Sequence, residues 1–269
     1  MAMPEFSIRT QPVARCPLCR GGERAERIRV SGPLGFEARF VECAGCGMVY
    51  MDPAPDEETL AAFYRDIYTR PEFRAADGHM HQDPRQEFVH AFPVQESHMD
   101  EIEKHKSAPG RLLDAGCAYG GLLLEAALRG WEAAGVEPSE DAARFCRDSL
   151  GLNVKQAGLL DADLPEGAFD VIVMLEVIEH VPQPVRALRR AARLAAPGAL
   201  LYLSCPNAQS AAARILGDKW IGWKPPTHLQ FFGYGTMRQL LERTGWRPLR
   251  VFSGGGYPGQ IRALAQRTD

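Results

Sequence analysis

The chain has no run of the roughly 20 consecutive apolar residues that a helix needs to cross a bilayer, which excludes a helical membrane protein. It also lacks a dominant charge. The 31 Lys and Arg set against 34 Asp and Glu leave a net −3, so no global field draws the protein to nucleic acid or an anionic membrane. Residues Met1 to Phe6 lack the basic and apolar regions of a signal peptide, and a cytoplasmic location is the default expectation. Internal repeats and low-complexity tracts are missing. Cysteine is odd in number, 7 in all, which argues against a disulfide framework in a chain without an export signal. What is there is ordinary globular material. Of 269 residues 45% are hydrophobic and 24% charged, enough for one large domain and a small appendage.

Four of the cysteines are paired. Cys16-Pro-Leu-Cys19 and Cys43-Ala-Gly-Cys46 have the form of two zinc knuckles, each supplying two thiolates from one tight turn. With no open ligand position evident, the spacing predicts a structural zinc; the alternative is four free thiols. β-type runs at 27–30 and 37–41 fill the space between. The expected organisation is a zinc-ribbon unit over 1–52, a helical connector or lid over 53–110, and a main domain over 111–269. Asp52-Pro-Ala-Pro55 reads as a break. Asp56 is placed to cap a helix through Leu60, Phe63, Tyr64 and Ile67, and a second helix is expected between Pro84 and Lys106.

From Arg111 strands and helices alternate. Strands are expected at 111–115, 133–137, 154–157, 170–175, 199–204, 248–252 and 260–264, with helices at 122–129, 139–149, 184–194 and 236–243. This repetition implies an α/β fold with a mostly parallel sheet and helices on both faces. After the first strand comes Asp114-Ala-Gly116-Cys117-Ala-Tyr-Gly120. Glycines there remove Cβ atoms that would block a ligand. The second strand ends in Glu137, about twenty residues later, where a carboxylate can accept hydrogen bonds from both hydroxyls of a ribose. Taken alone, such a loop suits any adenosine cofactor.

The surrounding motifs narrow this. Leu112-Leu-Asp-Ala-Gly116, Val136-Glu-Pro-Ser139, Phe169-Asp-Val-Ile-Val173 and Leu175-Glu-Val-Ile-Glu-His-Val181, in that order, resemble the class I S-adenosylmethionine-dependent methyltransferases, and most of all the branch of the ubiquinone-biosynthesis O-methyltransferases. The resemblance covers about 111–264. It implies a Rossmann-like seven-stranded sheet whose last strand is antiparallel. It also implies cofactor contacts at Asp114, Gly116, Cys117 and Gly120, at Glu137 and Pro138 for ribose, at Gly158, Leu159 and Leu160 beside adenine, and at Leu175. Ala118 stands where the family often has Gly. Tyr64, on the helix before the main domain, is a candidate to close over the cofactor. The cysteine unit resembles the zinc ribbon fused ahead of some bacterial methyltransferases, including those that C-methylate nucleotide-linked sugars.

Two histidines are candidates for acid–base work at the acceptor: His180, just after the fourth strand, and His228, in Lys224-Pro-Pro-Thr-His228. Structural hydrogen bonding is the alternative for each. Glu176-x-x-Glu179-His180 resembles a motif that the ubiquinone-biosynthesis branch has been associated with for a divalent cation. Pairing of the acids with the cofactor, or capping of the next helix, is preferred here over Mg²⁺. Trp220, Trp223, Phe231, Phe232 and Tyr234 form either an aromatic lid over the acceptor or the ordinary packing of an inserted loop. The expected function is methylation of a small biosynthetic molecule (secondary-metabolite, quinone-like or sugar), with O favoured over N or C. RNA modification, with the ribbon gripping nucleic acid, is the alternative. The small basic excess of the ribbon supports it weakly, and the segment after the fourth strand, Leu175-Glu-Val-Ile178, departs from the Asn-Pro-Pro-aromatic motif of base-amino methyltransferases. Oligomeric state is not legible.

Overall fold

After a two-residue strand β1 (Thr10–Gln11), apolar and charged residues alternate through β2 (Arg24–Ser31) and β3 (Glu37–Cys43), which pair antiparallel; the short β4 (Val49–Met51) then pairs with β3. The computed structural model describes residues 6–68, 70–76 and 83–268, so most of the N-terminal hexapeptide lies outside the described residues. The Asp-Pro-Ala-Pro segment is more than a break. Ala54 and Pro55 form β5 (Ala54–Pro55) against β1, and the carboxylate of buried Asp52 accepts from Val13 N at 2.9 Å and Arg24 Nε at 2.8 Å. Helix α1 (Glu57–Asp66) starts where Asp56 accepts a hydrogen bond from Thr59 N at 2.7 Å, as an N-cap should. Helices α2 (Pro71–Ala76) and α3 (Pro84–Glu103) follow.

The main domain runs β6 (Arg111–Ala115), α4 (Gly121–Leu128), β7 (Glu132–Val136), α5 (Glu140–Asp148), β8 (Asn153–Lys155), β9 (Phe169–Leu175), α6 (Pro184–Leu194) and β10 (Ala195–Pro206). It continues with α7 (Ala211–Leu216), β11 (Gln230–Phe231), α8 (Tyr234–Glu242), β12 (Trp246–Ser253) and β13 (Gln260–Arg267). The seven-stranded sheet has the order β12-β13-β10-β9-β6-β7-β8, and β13 alone in it runs antiparallel to its neighbours β10 and β12. The expected Rossmann-like fold, last strand included, is the one observed.

Strand alternation builds two cores. Leu112, Val171, Val173, Leu200 and Tyr202 face α3, α4 and α5. Their neighbours Leu113, Ile172, Met174, Leu201 and Leu203 face the opposite side, where α6 and α8 pack. The ribbon sits on that second side: Cys16, Leu18, Cys43 and Tyr50 belong to the same cluster, and Arg243 Nη1 donates to Leu18 O at 3.3 Å.

No sequence pattern marks β11. This strand, from within the main domain, pairs antiparallel with β4 and becomes the fourth strand of the ribbon's sheet. The aromatic stretch is therefore packing. Trp220, Trp223 and Phe231 are buried with Phe40, Val49 and Met51, with Trp223 and Phe231 ring centroids 4.6 Å apart. Phe232 is buried on the other side of the strand, and Tyr234 is 45% exposed. The lid alternative is set aside, because Trp220, Trp223 and Phe231 face the ribbon and none of the five rings lines the cavity at the carboxyl ends of the parallel strands.

Candidate active site

A cavity of about 470 Å³ opens at the carboxyl ends of the parallel strands, where ligands of such sheets sit. Its floor is the glycine loop between β6 and α4. Gly116 has φ +87° there, and a Cβ at this position would lie 2.6 Å from Val177 Cγ2, so both backbone and space demand glycine. Gly120, at φ +79°, caps α4 and is closed in by Leu152 and Cys146. Ala118, at φ +46°, holds a left-handed conformation without glycine's freedom.

Glu137 follows β7 and faces the cavity. Its two oxygens accept one backbone hydrogen bond each, from Ser139 N at 2.8 Å and Ala118 N at 2.9 Å. Burial pushes its pKa up, against the pull of those two N–H groups. Asp114 lies one layer below, where burial and then the charge of Glu137 push its pKa up to about 7.

The residues read from the sequence divide by position. Gly116, Glu137, Pro138, Gly158, Leu159, Leu160, Leu175, Tyr64 and His180 line the cavity. Asp114, Cys117 and Gly120 do not line it. They support the loop from beneath, with Cys117 Sγ packed where a Cβ on Gly135 would meet it at 2.7 Å. His228 is also off the wall. It is 6% exposed, its Nδ1 donates to Gly222 O at 2.9 Å, and its ring lies edge-on to His180 with centroids 4.7 Å apart. Burial, then His180, drives its pKa well below the usual value, so it is a neutral imidazole.

His180 stands in front of it. Tyr64 Oη lies 2.9 Å from His180 Nδ1 and the Thr227 carbonyl oxygen 3.0 Å from the same atom. A carbonyl only accepts, so Nδ1 carries the proton and Nε2 the lone pair. Arg74 was not read from the sequence. It comes from α2, is 1% exposed and lines the cavity with Tyr68. No spacing rule marks an arginine on a helix outside the main domain; only the fold brings it here.

The Glu176-x-x-Glu179-His180 motif converges only in part: ligand atoms of Glu179, His180 and His228 lie within 4.8 Å of one another, while Glu176 is engaged elsewhere. Glu176 accepts from Ser204 Oγ at 2.7 Å, Gln260 Nε2 at 2.7 Å and Tyr257 Oη at 2.8 Å, so its oxygens are taken. Glu179 is fully buried with no hydrogen-bond partner on either oxygen, and burial, then Glu176, raises its pKa well above the usual range. Mg²⁺ prefers oxygen ligands and needs several. One held carboxylate and one sealed carboxyl beside imidazoles do not supply them.

The four N-terminal cysteines do converge. Their sulfurs all lie within 4.8 Å of one another, with Cys16–Cys46 at 3.6 Å and Cys19–Cys43 at 3.5 Å. A tetrahedron with Zn–S bonds of about 2.3 Å has edges of roughly 3.8 Å, so the set fits that ion. Arg20 and Gly47 take positive φ to close the two knuckles.

The comparisons with known proteins agree with this geometry. Residues 85–251 match the methyltransferase domain model. A ubiquinone biosynthesis O-methyltransferase of Methylococcus capsulatus is 38% identical over 140 residues, covering 48% of this chain and 58% of the relative. That of Chromobacterium violaceum is 30% identical over 206 residues, covering 71% of this chain and 88% of the relative. The chain thus spans less than two thirds of the length of the first of these. In fold it is similar to the magnesium protoporphyrin IX methyltransferase of Synechocystis, solved with bound SAH: TM-score 0.60, 19% identity, covering 79% of this chain and all of that one. With its sheet order, its loop and Glu137 already in place, the chain belongs to the class I S-adenosylmethionine-dependent methyltransferases.

Proposed function

We propose that this protein transfers a methyl group from S-adenosylmethionine to an oxygen of a small molecule in a biosynthetic pathway. The observation that carries the reading is Glu137. Its carboxylate is anchored by two backbone N–H groups and still turns toward a cavity with Gly158, Leu159 and Leu160 on its wall. Each oxygen keeps lone pairs for the two hydroxyls of a ribose. The cavity volume is within the range of sites that enclose cofactors. When bound, S-adenosylmethionine supplies a sulfonium methyl that is already activated.

The chain's own part is alignment and proton handling. Gly116 lets the backbone come close. Leu159 and Leu160 offer an apolar wall for adenine, and Arg74 offers a cation for the carboxylate of the methionine portion. His180 meets the acceptor with the lone pair of Nε2 as the base that takes its proton, while His228 packs behind the ring. Residues 1–52 act as a zinc-bound scaffold, 53–110 as a connector that brings Tyr64 and Arg74 over the cavity, and 111–269 as the methyltransferase domain. The O-methyltransferase names of the relatives favour oxygen as acceptor.

Calorimetric titration with S-adenosylmethionine comes first, and no binding would end the reading. Transfer of labelled methyl is then followed to a catechol, a sugar hydroxyl and bulk tRNA. Label in the catechol or sugar is the expected result. Label in tRNA alone would replace the reading with RNA modification.

A further inference from the structure

The turn that presents His180 is held by residues from outside the sheet. Gln230 is 1% exposed, and its Nε2 donates to Ile178 O at 2.9 Å and to Val181 O at 2.6 Å. A side-chain amide has two N–H groups, and both are used. Those two carbonyls bracket Glu179 and His180. The carbonyl between them, Glu179 O, accepts from Leu229 N at 2.9 Å, and Thr227 O holds His180 Nδ1. Residues 227–230 therefore grip the turn at four points.

The same segment is gripped from behind by the ribbon. Met51 N donates to Leu229 O at 2.8 Å, and Gln230 stands opposite Tyr50 in the β11–β4 pair. β4 begins just after the second cysteine knuckle, where Cys43 N donates to Met48 O at 2.9 Å. A continuous ladder thus joins the cysteine cluster to the turn carrying His180. Pairing with β4 uses only the backbone of Gln230, so an apolar side chain would serve the ribbon equally well. The amide is needed only by the turn.

We infer that Gln230 is a positioning residue for methyl transfer, and that the ribbon's role is to deliver its amide to the 176–181 turn and so fix the ring of His180. This rests on the reading that His180 faces the acceptor. Loss of the amide strands one buried and one half-buried carbonyl, and the turn relaxes toward water to satisfy them.

The test uses the full chain and needs no acceptor. Gln230→Met keeps reach and removes both donors. Amide exchange across 177–181 should quicken at least tenfold, while 112–120 stays as in the wild type. Nitrogen NMR of labelled imidazoles should show His180 as the single Nδ1–H tautomer in the wild type and as an averaged pair in the variant. Gln230→Asn retains the amide but is one methylene short, so it should fall between the two; it also serves if Gln230→Met does not fold. Unchanged exchange and an unchanged His180 tautomer in a folded variant would overturn the inference. Failure of the methyltransferase reading looks different: the wild type itself would not bind S-adenosylmethionine.

Discussion

Changing Glu137 to Gln should weaken binding of S-adenosylmethionine about a hundredfold. The carboxylate is 9% exposed and is met by one N–H at each oxygen. A glutamine keeps the shape but turns one oxygen into an NH₂ group. That group must then face Ala118 N–H or Ser139 N–H, donor against donor. It also ceases to accept from one ribose hydroxyl. Hydrogen bonds to a charged group contribute about 1.5–3 kcal/mol each, and a stranded buried donor costs about 1–3 kcal/mol. Allowing for partial relaxation of the loop, a net loss of about 3 kcal/mol is expected, and each 1.4 kcal/mol is tenfold in affinity. The assay is calorimetric titration with S-adenosylhomocysteine, which avoids turnover. Glu140→Gln, a neighbouring acid whose side chain is 73% exposed, serves as the charge control and should leave affinity within about twofold. Burial raises the pKa of Glu137, so affinity should also decline as the pH falls through that raised value. Equal affinities for Glu137→Gln and the wild type would refute the ribose assignment.

Asp114 tests the layer below. Its pKa in the fold, pushed up to about 7, lies above that of the unfolded chain, so the fold keeps a proton that the unfolded chain has lost. Stability should therefore fall as pH rises from about 4 to 7 and level off above, a window of up to about 4 kcal/mol. Asp114→Asn should remove that pH dependence in chemical denaturation, and an unchanged slope would contradict it. At the ribbon, wild-type protein should carry one zinc per chain by elemental analysis. Cys43→Ser should carry little and melt earlier, because structural zinc contributes roughly 10–16 kcal/mol to such units; full zinc in the variant would remove the ion from the four-cysteine site.

Much of the main domain was legible because period-two and period-3.6 patterns there meet strong punctuation. Ser139 caps α5, and Pro184 starts α6. The loop motif and Glu137 were legible because their chemistry is local in sequence. Three features were not. β11 is two residues long and is defined by a partner far upstream, so no periodicity marks it. Arg74 is on a six-residue helix and joins the cavity only through the fold. His228 is a candidate for acid–base work by residue type alone, yet its imidazole is turned to Gly222 behind His180. Glu176 shows the same limit. Its motif suggested cation chemistry, while Tyr257 and Gln260, distant in sequence, supply its hydrogen bonds.

The borrowed fourth strand has a consequence for synthesis and for engineering. Until Gln230 and Phe231 emerge from the ribosome, the outer edge of β4 has no strand to complete it, although the cysteines that would bind metal are long since made. The nascent ribbon therefore carries an open sheet edge through most of translation, a template for pairing with other chains. The late residues that cover it are the same ones that hold the turn carrying His180. Grafting this ribbon onto another protein would need a substitute for β11. Deleting it would expose Trp223 and Phe231 and leave a methyltransferase with an unsupported turn.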